Sequence, residues 1–230
     1  MDGSTVPARW VHIIRAAGHK SSWQRGELLM RQGEAAERVI LLDRGLVKVT
    51  TESATGYTSL LALRGAGELL GELSCVDGGP RSATASAMGA VSGVSVPART
   101  FTGLLEVHPG LALAVLRCVA LRLRESDIER GDLGALPVGT RTAVVLARLS
   151  RRYGETLGSP ECATARRLSI TQHELAGAVG ASRESVVRAL SDLVGDGLIR
   201  VGRGRVVVSD PTVLAEWRSG AVGSGGGSEP

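Results

Sequence analysis

Cysteine is scarce in this chain of 230 residues, and the three cysteines stand far apart. Cys75, Cys118 and Cys162 form no CxxC pair and no cysteine–histidine spacing typical of a metal site. Because an odd number of distant cysteines does not suit a disulfide scaffold, we expect free, partly buried thiols in a reducing compartment. The sequence therefore predicts neither a structural metal nor a disulfide-rich secreted domain.

Long hydrophobic segments are also absent. No apolar run reaches about 18 residues, the length of a membrane span. Residues 1–9 lack the basic start and apolar stretch of a secretory signal. We therefore predict a cytoplasmic protein with no membrane partner, long enough for one large domain or two small ones.

Catalytic motifs are missing as well. The sequence has no P-loop, no HExxH and no recognisable Ser/His/Asp set, and its four histidines are isolated from one another. An enzyme is therefore not predicted.

Positive charge is concentrated towards the C-terminus. Residues 139–230 hold 12 arginines and 9 acidic residues, a net charge of +3. Residues 1–138 hold 15 basic and 14 acidic residues, a net charge of +1. Because arginines cluster at positions 200, 203 and 205, the C-terminal part suits an acidic polymer as its partner.

Short apolar strands broken by glycines occupy residues 23–97. Residues 39–42 and 46–50 are two predicted strands, joined by a turn at 43–45. This spacing of strands and glycines favours an antiparallel β-roll or barrel.

Helical periodicity replaces this pattern from about residue 99 to residue 136. The stretch 109–133 is long enough to keep a second apolar stripe after one stripe has packed on its own domain. Pairing with a second copy would bury that stripe, so we expect a two-fold homodimer, with a single long core helix as the alternative. Gly131, Gly134 and Pro137 predict a hinge at 131–138.

Segment 71–85 combines a carboxylate, an arginine, a hydroxyl and several glycines among small residues. A cyclic phosphate needs a guanidinium and further donors, which Arg81, Ser82 and the Ala83 amide supply. A ribose 2′-hydroxyl needs an acceptor, which Glu72 supplies, while Gly71 permits close approach of the backbone. The segment, including Leu73, resembles the phosphate-binding cassette of cyclic-nucleotide-binding domains.

A second motif lies at residues 169–199. Thr171 with Glu174 forms a capping box for one helix, a turn follows at 180–181, and Ser182 caps a second helix over 183–195. In such a helix-turn-helix the second helix enters the major groove of DNA. Its exposed face would carry Arg183, Glu184 and Arg188. The residues expected to pack the two helices together are Leu175, Ala176, Val179, Val186, Val187, Leu190 and Leu193.

The chain over about 20–215 closely resembles the cAMP receptor protein/FNR family of bacterial regulators. Residues 182–188 match that family's recognition helix, and residues 197–208 match its β-wing. The resemblance implies an α+β fold with an N-terminal cyclic-nucleotide-binding β-roll (1–108) and a long dimerisation helix with a hinge (109–137). A C-terminal winged helix-turn-helix domain (138–218) and a disordered tail (219–230) follow.

The resemblance also implies the effector. In the cAMP-responsive members two neighbouring hydroxyl residues of the long helix touch the adenine, and Ser126 and Asp127 stand there in this chain. Because a carboxylate could also favour guanine, cAMP is the expected effector and cGMP stays open. Arg122 either pairs with Glu72 as in the family or is an ordinary surface arginine. An iron–sulfur centre and haem are not expected, because the ligands that relatives use are missing.

On the DNA side, the resemblance implies that Arg183, Glu184 and Arg188 read a TGTGA-like half-site, repeated as a palindrome. Thr171, Gln172 and Ser182 would contact phosphates, with Arg203 and Arg205 of the wing nearby. RNA polymerase is a further candidate partner. The alternatives are a ligand-independent regulator with a vestigial pocket and an anti-activator that acts by protein interaction.

Overall fold

The protein is described by a computed structural model that covers residues 5–54, 56, 58–157 and 164–218. Contacts between residues divide the chain into two units, Met1–Glu129 and Arg130–Pro230. Cys162 and the tail predicted at 219–230 lie outside the described residues. Each unit has its own sheets and its own buried residues.

Eight strands form two antiparallel sheets in the first unit. They are β1 (His19–Trp23), β2 (Leu28–Met30), β3 (Arg38–Arg44), β4 (Val47–Glu52), β5 (Thr58–Arg64), β6 (Leu69–Leu70), β7 (Thr84–Ala87) and β8 (Val91–Pro97). The strand orders are β1-β8-β3-β6 and β2-β7-β4-β5, and every pairing is antiparallel. The predicted β-roll is confirmed.

Strand β3 is buried on both faces. Ile40 and Leu42 belong to a core cluster with residues of both sheets, whereas Val39 and Leu41 pack with residues of the helices. Successive side chains of a strand point to opposite faces, so both sets are apolar here. Burial of both faces explains why residues 39–42 are all apolar, whereas a strand with one exposed face would alternate apolar and polar residues.

A turn joins the two predicted strands, but it lies at residues 45–46, because Asp43 and Arg44 still belong to β3. Strand β3 pairs with β6 and β8, whereas β4 pairs with β5 and β7, so the turn leads from one sheet to the other. At Gly45 φ is +89°, and a Cβ there would lie 2.4 Å from the Ala90 carbonyl oxygen. The two strands therefore lie in different sheets, and β3 finds its partners in distant parts of the sequence.

Four helices complete the first unit, the last of them running on into the second. They are α1 (Ala8–Ala16), α2 (Glu72–Asp77), α3 (Ala98–Val107) and α4 (Pro109–Ala135). One face of α4 is buried through Leu111, Val115 and Cys118. Another face exposes Leu116 and Leu123, so the predicted second apolar stripe is present.

Helix α4 runs further than predicted. It continues through Gly131 and Gly134 to Ala135, and the next helix begins at Val138. Within the segment predicted as a hinge, only Leu136 and Pro137 lie outside the two helices. Glycine inside a helix costs only about 1 kcal/mol, whereas proline lacks the N–H that helix continuation needs.

Within the described residues, no single helix is both long and apolar enough to cross a membrane. Helices α3 and α4 satisfy that length and composition only when counted together, and they are bent by 113°.

In the second unit, the described residues form four helices and a small antiparallel sheet. The helices are α5 (Val138–Tyr153), α6 (Gln172–Val179), α7 (Arg183–Gly195) and α8 (Pro211–Glu216), and the strands are β9 (Glu155–Thr156), β10 (Arg166–Leu168), β11 (Ile199–Gly202) and β12 (Arg205–Val208). The strand order is β11-β12-β10-β9. Leu146, Leu175, Leu193 and Leu214, one from each helix, are fully buried. The predicted helix-turn-helix and wing are confirmed.

Candidate effector site and DNA-binding surface

Arg81 is buried in the first unit, with only 5% of its surface exposed. Its backbone N–H donates to the Glu34 carbonyl at 2.8 Å, and its carbonyl accepts from the Gly33 N–H at 2.9 Å. Its guanidinium donates to the Gly71 carbonyl at 2.8 Å and to the Arg38 carbonyl. The guanidinium, which is the predicted phosphate-binding group, is therefore held in one position by hydrogen bonds to two backbone carbonyls.

The guanidinium of Arg81 has no ion-pair partner among the described residues. Glu72, the buried carboxylate of the same segment, is bound to Arg122, whose Nη1 lies 2.5 Å from Glu72 Oε1. Nη2 of Arg122 donates to the Leu69 carbonyl at 2.9 Å. Since a buried charge without a counter-ion is costly, the surroundings of Arg81 suit an anion.

Cys75 stands beside Arg81 and is half-buried. Burial raises the pKa of the Cys75 thiol, and the Arg81 guanidinium offsets only part of that increase. The thiol is therefore protonated at neutral pH and supplies no negative charge to Arg81.

Gly71 fits closely against the side chain of Arg81. Its φ is +77°, a conformation that favours glycine. A Cβ at this position would lie 2.4 Å from Arg81 Nη1 and 2.7 Å from Met30 Sδ. The sequence predicts that this glycine allows a ligand to approach the backbone closely. In the structure, the space that a Cβ would need is instead taken by the Arg81 side chain.

The other predicted residues of this site lie at or near its surface. Ser82 is exposed, Ala83 is half-buried, and Leu73 on α2 is exposed. On α4, Ser126 lies one helical turn after Arg122, on the face that meets Glu72. Asp127 is exposed and follows Leu123 by four residues, so it shares the face of the apolar stripe.

In the second unit both helix caps form as predicted. The N–H of Glu174 donates to Thr171 Oγ1 at 3.1 Å, and the N–H of Thr171 donates to Glu174 Oε2 at 2.9 Å. Ser182 accepts from the Ser185 N–H at 3.2 Å and begins α7. The hydroxyls of Thr171 and Ser182 also donate, to Glu174 and Ser185, so both are engaged in capping in this structure.

Arg183, Glu184 and Arg188 all lie on the exposed face of α7. A hydrogen bond from its own backbone N–H and one from Ser182 lower the pKa of the Glu184 carboxyl, with smaller contributions from Arg183 and Arg188. The carboxylate is therefore ionised at neutral pH and available as an acceptor. Nη2 of Arg188 lies 3.2 Å from Ser185 Oγ.

Val187 does not pack between α6 and α7, in contrast to the prediction. Its side chain is 39% exposed, whereas Val186 and Leu190 are buried. The buried face of α7 is formed by Val186, Ala189, Leu190 and Leu193, and Val187 lies about 100° around the helix from Val186, beyond the edge of that face. Val187 shares the exposed face with Arg183, one turn before it.

The wing and the two helices enclose a groove of about 320 Å³. Arg203 and Gly204 form the turn between β11 and β12, and φ of Gly204 is +67°. Gln172, Arg183, Val201, Arg203 and Arg205 are among the residues lining the groove. Val201 is not among the site residues predicted from the sequence, although the alternation of side chains along β11 could have indicated its position in the groove.

Arg141 was also missed, and it holds the end of α6 in place. Its Nε donates to the Val179 carbonyl at 2.7 Å, and its Nη1 donates to the Leu133 and Leu136 carbonyls at 3.1 and 2.9 Å. The side chain is buried. The sequence signal that could have identified this residue is the occurrence of an arginine within the apolar part of α5.

No group of three or more histidine, cysteine, aspartate or glutamate side chains is arranged to hold a metal ion in the part of the chain that the structure describes.

Two family models match the chain, one for each unit. A cyclic nucleotide-binding domain covers residues 20–108, and a Crp-like helix-turn-helix domain covers residues 140–217. Together they describe a regulator of transcription with a cyclic-nucleotide-binding domain and a DNA-binding domain. These domains indicate a regulator rather than an enzyme.

Known proteins resemble the chain over most of its length. It is 34% identical over 191 residues to the CRP-like cAMP-activated global transcriptional regulator of Mycobacterium tuberculosis, covering 83% of this chain and 84% of that protein. It is 32% identical over 194 residues to the cyclic AMP receptor protein of Thermus thermophilus, covering 84% and 85%. A solved CRP/FNR-family transcriptional regulator from Thermus thermophilus superposes with a TM-score of 0.69 at 25% identity, covering 87% of this chain and all (100%) of that chain.

Proposed function

The chain belongs to the CRP/FNR family of transcriptional regulators, and on that premise we propose that it is a homodimer that binds cAMP and then a palindromic TGTGA-like DNA site. The observation that carries the effector half of this proposal is the buried guanidinium of Arg81, which forms no ion pair among the described residues. A cyclic phosphate brings one negative charge and acceptor oxygens.

Three groups surround this contact in the proposal. Ser82 and the Ala83 N–H donate to the same phosphate. Glu72 accepts from the ribose 2′-hydroxyl through Oε2, which accepts no hydrogen bond within the described residues, while Oε1 is bound to Arg122. The phosphate and the ribose thus have separate partners.

Ser126 and Asp127 contact the base in this proposal. Two relatives whose names specify cAMP support adenine as that base. An aspartate accepts from the exocyclic amine of adenine, but it also accepts from the N1–H and N2–H edge of guanine. cGMP is therefore the second candidate effector.

The DNA half of the proposal rests on the exposed face of α7. Arg183 and Arg188 suit guanine O6 and N7, and the ionised Glu184 accepts from cytosine N4. Gln172, Arg203 and Arg205 line the adjoining groove and would contact phosphates. The predicted phosphate contacts of Thr171 and Ser182 require their O–H groups to turn from Glu174 and Ser185 to the phosphate, while the oxygens keep accepting the capping N–H groups.

A binding assay on DNA, with no nucleotide, with cAMP and with cGMP, tests the whole proposal. We expect tight, sequence-selective binding only with cAMP, because an effector acts through its higher affinity for the binding-competent state. Equal binding without nucleotide would favour a ligand-independent regulator. Failure to retain any specific DNA would favour an anti-activator.

The effector contact is tested by calorimetry of cAMP binding to the Arg81→Leu and Ser82→Ala variants. Loss of the guanidinium contact in Arg81→Leu and loss of the hydrogen bond to the charged phosphate in Ser82→Ala should each cost about 1.5–3 kcal/mol. Arg99→Leu, at an exposed arginine of the same unit, is the matched control and should bind normally. Because Arg81 also supports two carbonyls, Ser82→Ala keeps the test valid if Arg81→Leu does not fold. Unchanged affinity in the folded variants would contradict the assignment.

A further inference from the structure

Val187 stands among charged residues on the exposed face of α7. Arg183 and Glu184 precede it by four and three residues, and Ser191 follows it by four, so all three are its neighbours on the helix surface. Arg188 comes directly after it. The side chain of Val187 is 39% exposed, and it is the apolar member of this set.

The position of Val187 within the helix is also that of a base-contacting residue. The N-terminal part of a recognition helix contacts base edges in the major groove, and Val187 is the fifth residue of α7. Its neighbours Arg183, Glu184 and Arg188 are the residues proposed to read bases. A side chain at the centre of this group meets the floor of the groove when they do.

The chemistry of Val187 then selects what it meets. The major groove offers hydrogen-bonding groups at every base pair, but its apolar group is the 5-methyl of thymine. Valine has no hydrogen-bonding atom, so next to a donor or acceptor it would leave that group unpaired. Next to a thymine methyl it buries apolar surface on both sides.

We infer that Val187 is a further specificity-determining residue, which recognises the 5-methyl group of one thymine in each half-site. This inference rests on the proposed DNA-binding function and adds an apolar contact to the polar ones of the neighbouring side chains. It predicts a preference for thymine at one position where the neighbouring charged side chains do not determine the base.

The test removes the methyl group from the DNA and the valine methyls from the protein in turn. The full-length wild-type protein first selects a duplex from a random DNA pool, with cAMP present. Each thymine of the selected half-site is then replaced by deoxyuridine, symmetrically in both half-sites, and the dissociation constant is measured for wild type and Val187→Ala. Loss of one buried methyl contact should weaken wild-type binding about fourfold per half-site at one thymine.

Val187→Ala should bind the thymine and deoxyuridine duplexes equally at that position. Val194→Ala is the matched control, because Val194 is 45% exposed on the same helix but lies two turns towards its C-terminal end. It should keep the wild-type methyl effect. Thermal unfolding of both variants checks that each is folded.

The outcomes separate the inference from the proposed function. A wild-type protein that selects no sequence contradicts the proposed function. Selective binding with no methyl effect at any thymine, or with an effect that Val187→Ala retains in full, overturns the inference alone.

Discussion

At Gly71 the geometry of the effector site depends on the absence of one methyl group. Two separate conditions apply there: φ is +77°, and the space for a Cβ is occupied by the Arg81 guanidinium. Gly78, at the other end of α2, meets only the first condition, since its φ is +71° and a Cβ there would have no neighbouring atom within 4 Å. Comparing alanine variants at these two glycines therefore separates the effect of backbone strain from the effect of displacing Arg81.

Gly71→Ala should weaken cAMP binding strongly, whereas Gly78→Ala should leave it close to the wild-type value. Both variants should lose roughly 1–3 kcal/mol of stability, because alanine is strained at positive φ. Calorimetry of cAMP binding and chemical unfolding of both variants measure the two effects. Equal cAMP affinity in the two variants would show that the contact of Gly71 with Arg81 has no role in binding.

At the scale of elements, the turn between α6 and α7 is held by a side chain from α5. Gly180 ends α6 with φ of +64°, and the carbonyl of the preceding Val179 accepts from Arg141 Nε. The same guanidinium binds two carbonyls near the end of α4. Arg141 therefore fixes the turn that sets the start of the recognition helix.

Arg141→Ala should destabilise the second unit and weaken binding to all DNA sequences alike. Removing a buried charged donor leaves carbonyls unpaired, at a cost of about 1.5–3 kcal/mol for one such bond. Arg151→Ala, at an exposed arginine of the same helix, is the control. Thermal unfolding and binding to specific and random duplexes are the measurements. A selective loss at one base pair, with normal stability, would instead indicate a direct base contact.

Elements that are specified by neighbouring residues could be predicted from the sequence, and those that depend on distant ones could not. Helix α7 has its predicted bounds because Ser182 caps it locally. The partners of β3 and the acceptor of Arg81 at Arg38 are far away in the sequence, so local patterns do not contain them. The prediction for Val187 is wrong because its hydrophobicity suggested burial, whereas it lies beyond the edge of the face formed by the buried residues of α7.

For the whole molecule, α4 links the features on which the proposal depends. Arg122 on one face contacts Glu72 of the effector segment, and the carbonyls of Leu133 and Leu136 near the end of the helix accept from Arg141. The apolar stripe of Leu116 and Leu123 is exposed on another face of the helix. A change at the effector site that shifts this part of α4 would therefore also act on the stripe.

Leu116→Glu should convert the proposed dimer into a monomer. Leu116 is 62% exposed at the centre of the stripe, and a carboxylate there would be buried opposite its own copy in a two-fold pair. Ile128→Glu is the matched control, because Ile128 is 64% exposed on the same helix but lies roughly 120° around its axis from Leu116. Sedimentation of both variants gives the oligomeric state, and binding to the palindromic duplex gives the consequence, since a monomer contacts one half-site at a time. A Leu116→Glu protein that stays dimeric and binds the palindrome normally would place the dimer contact on another surface.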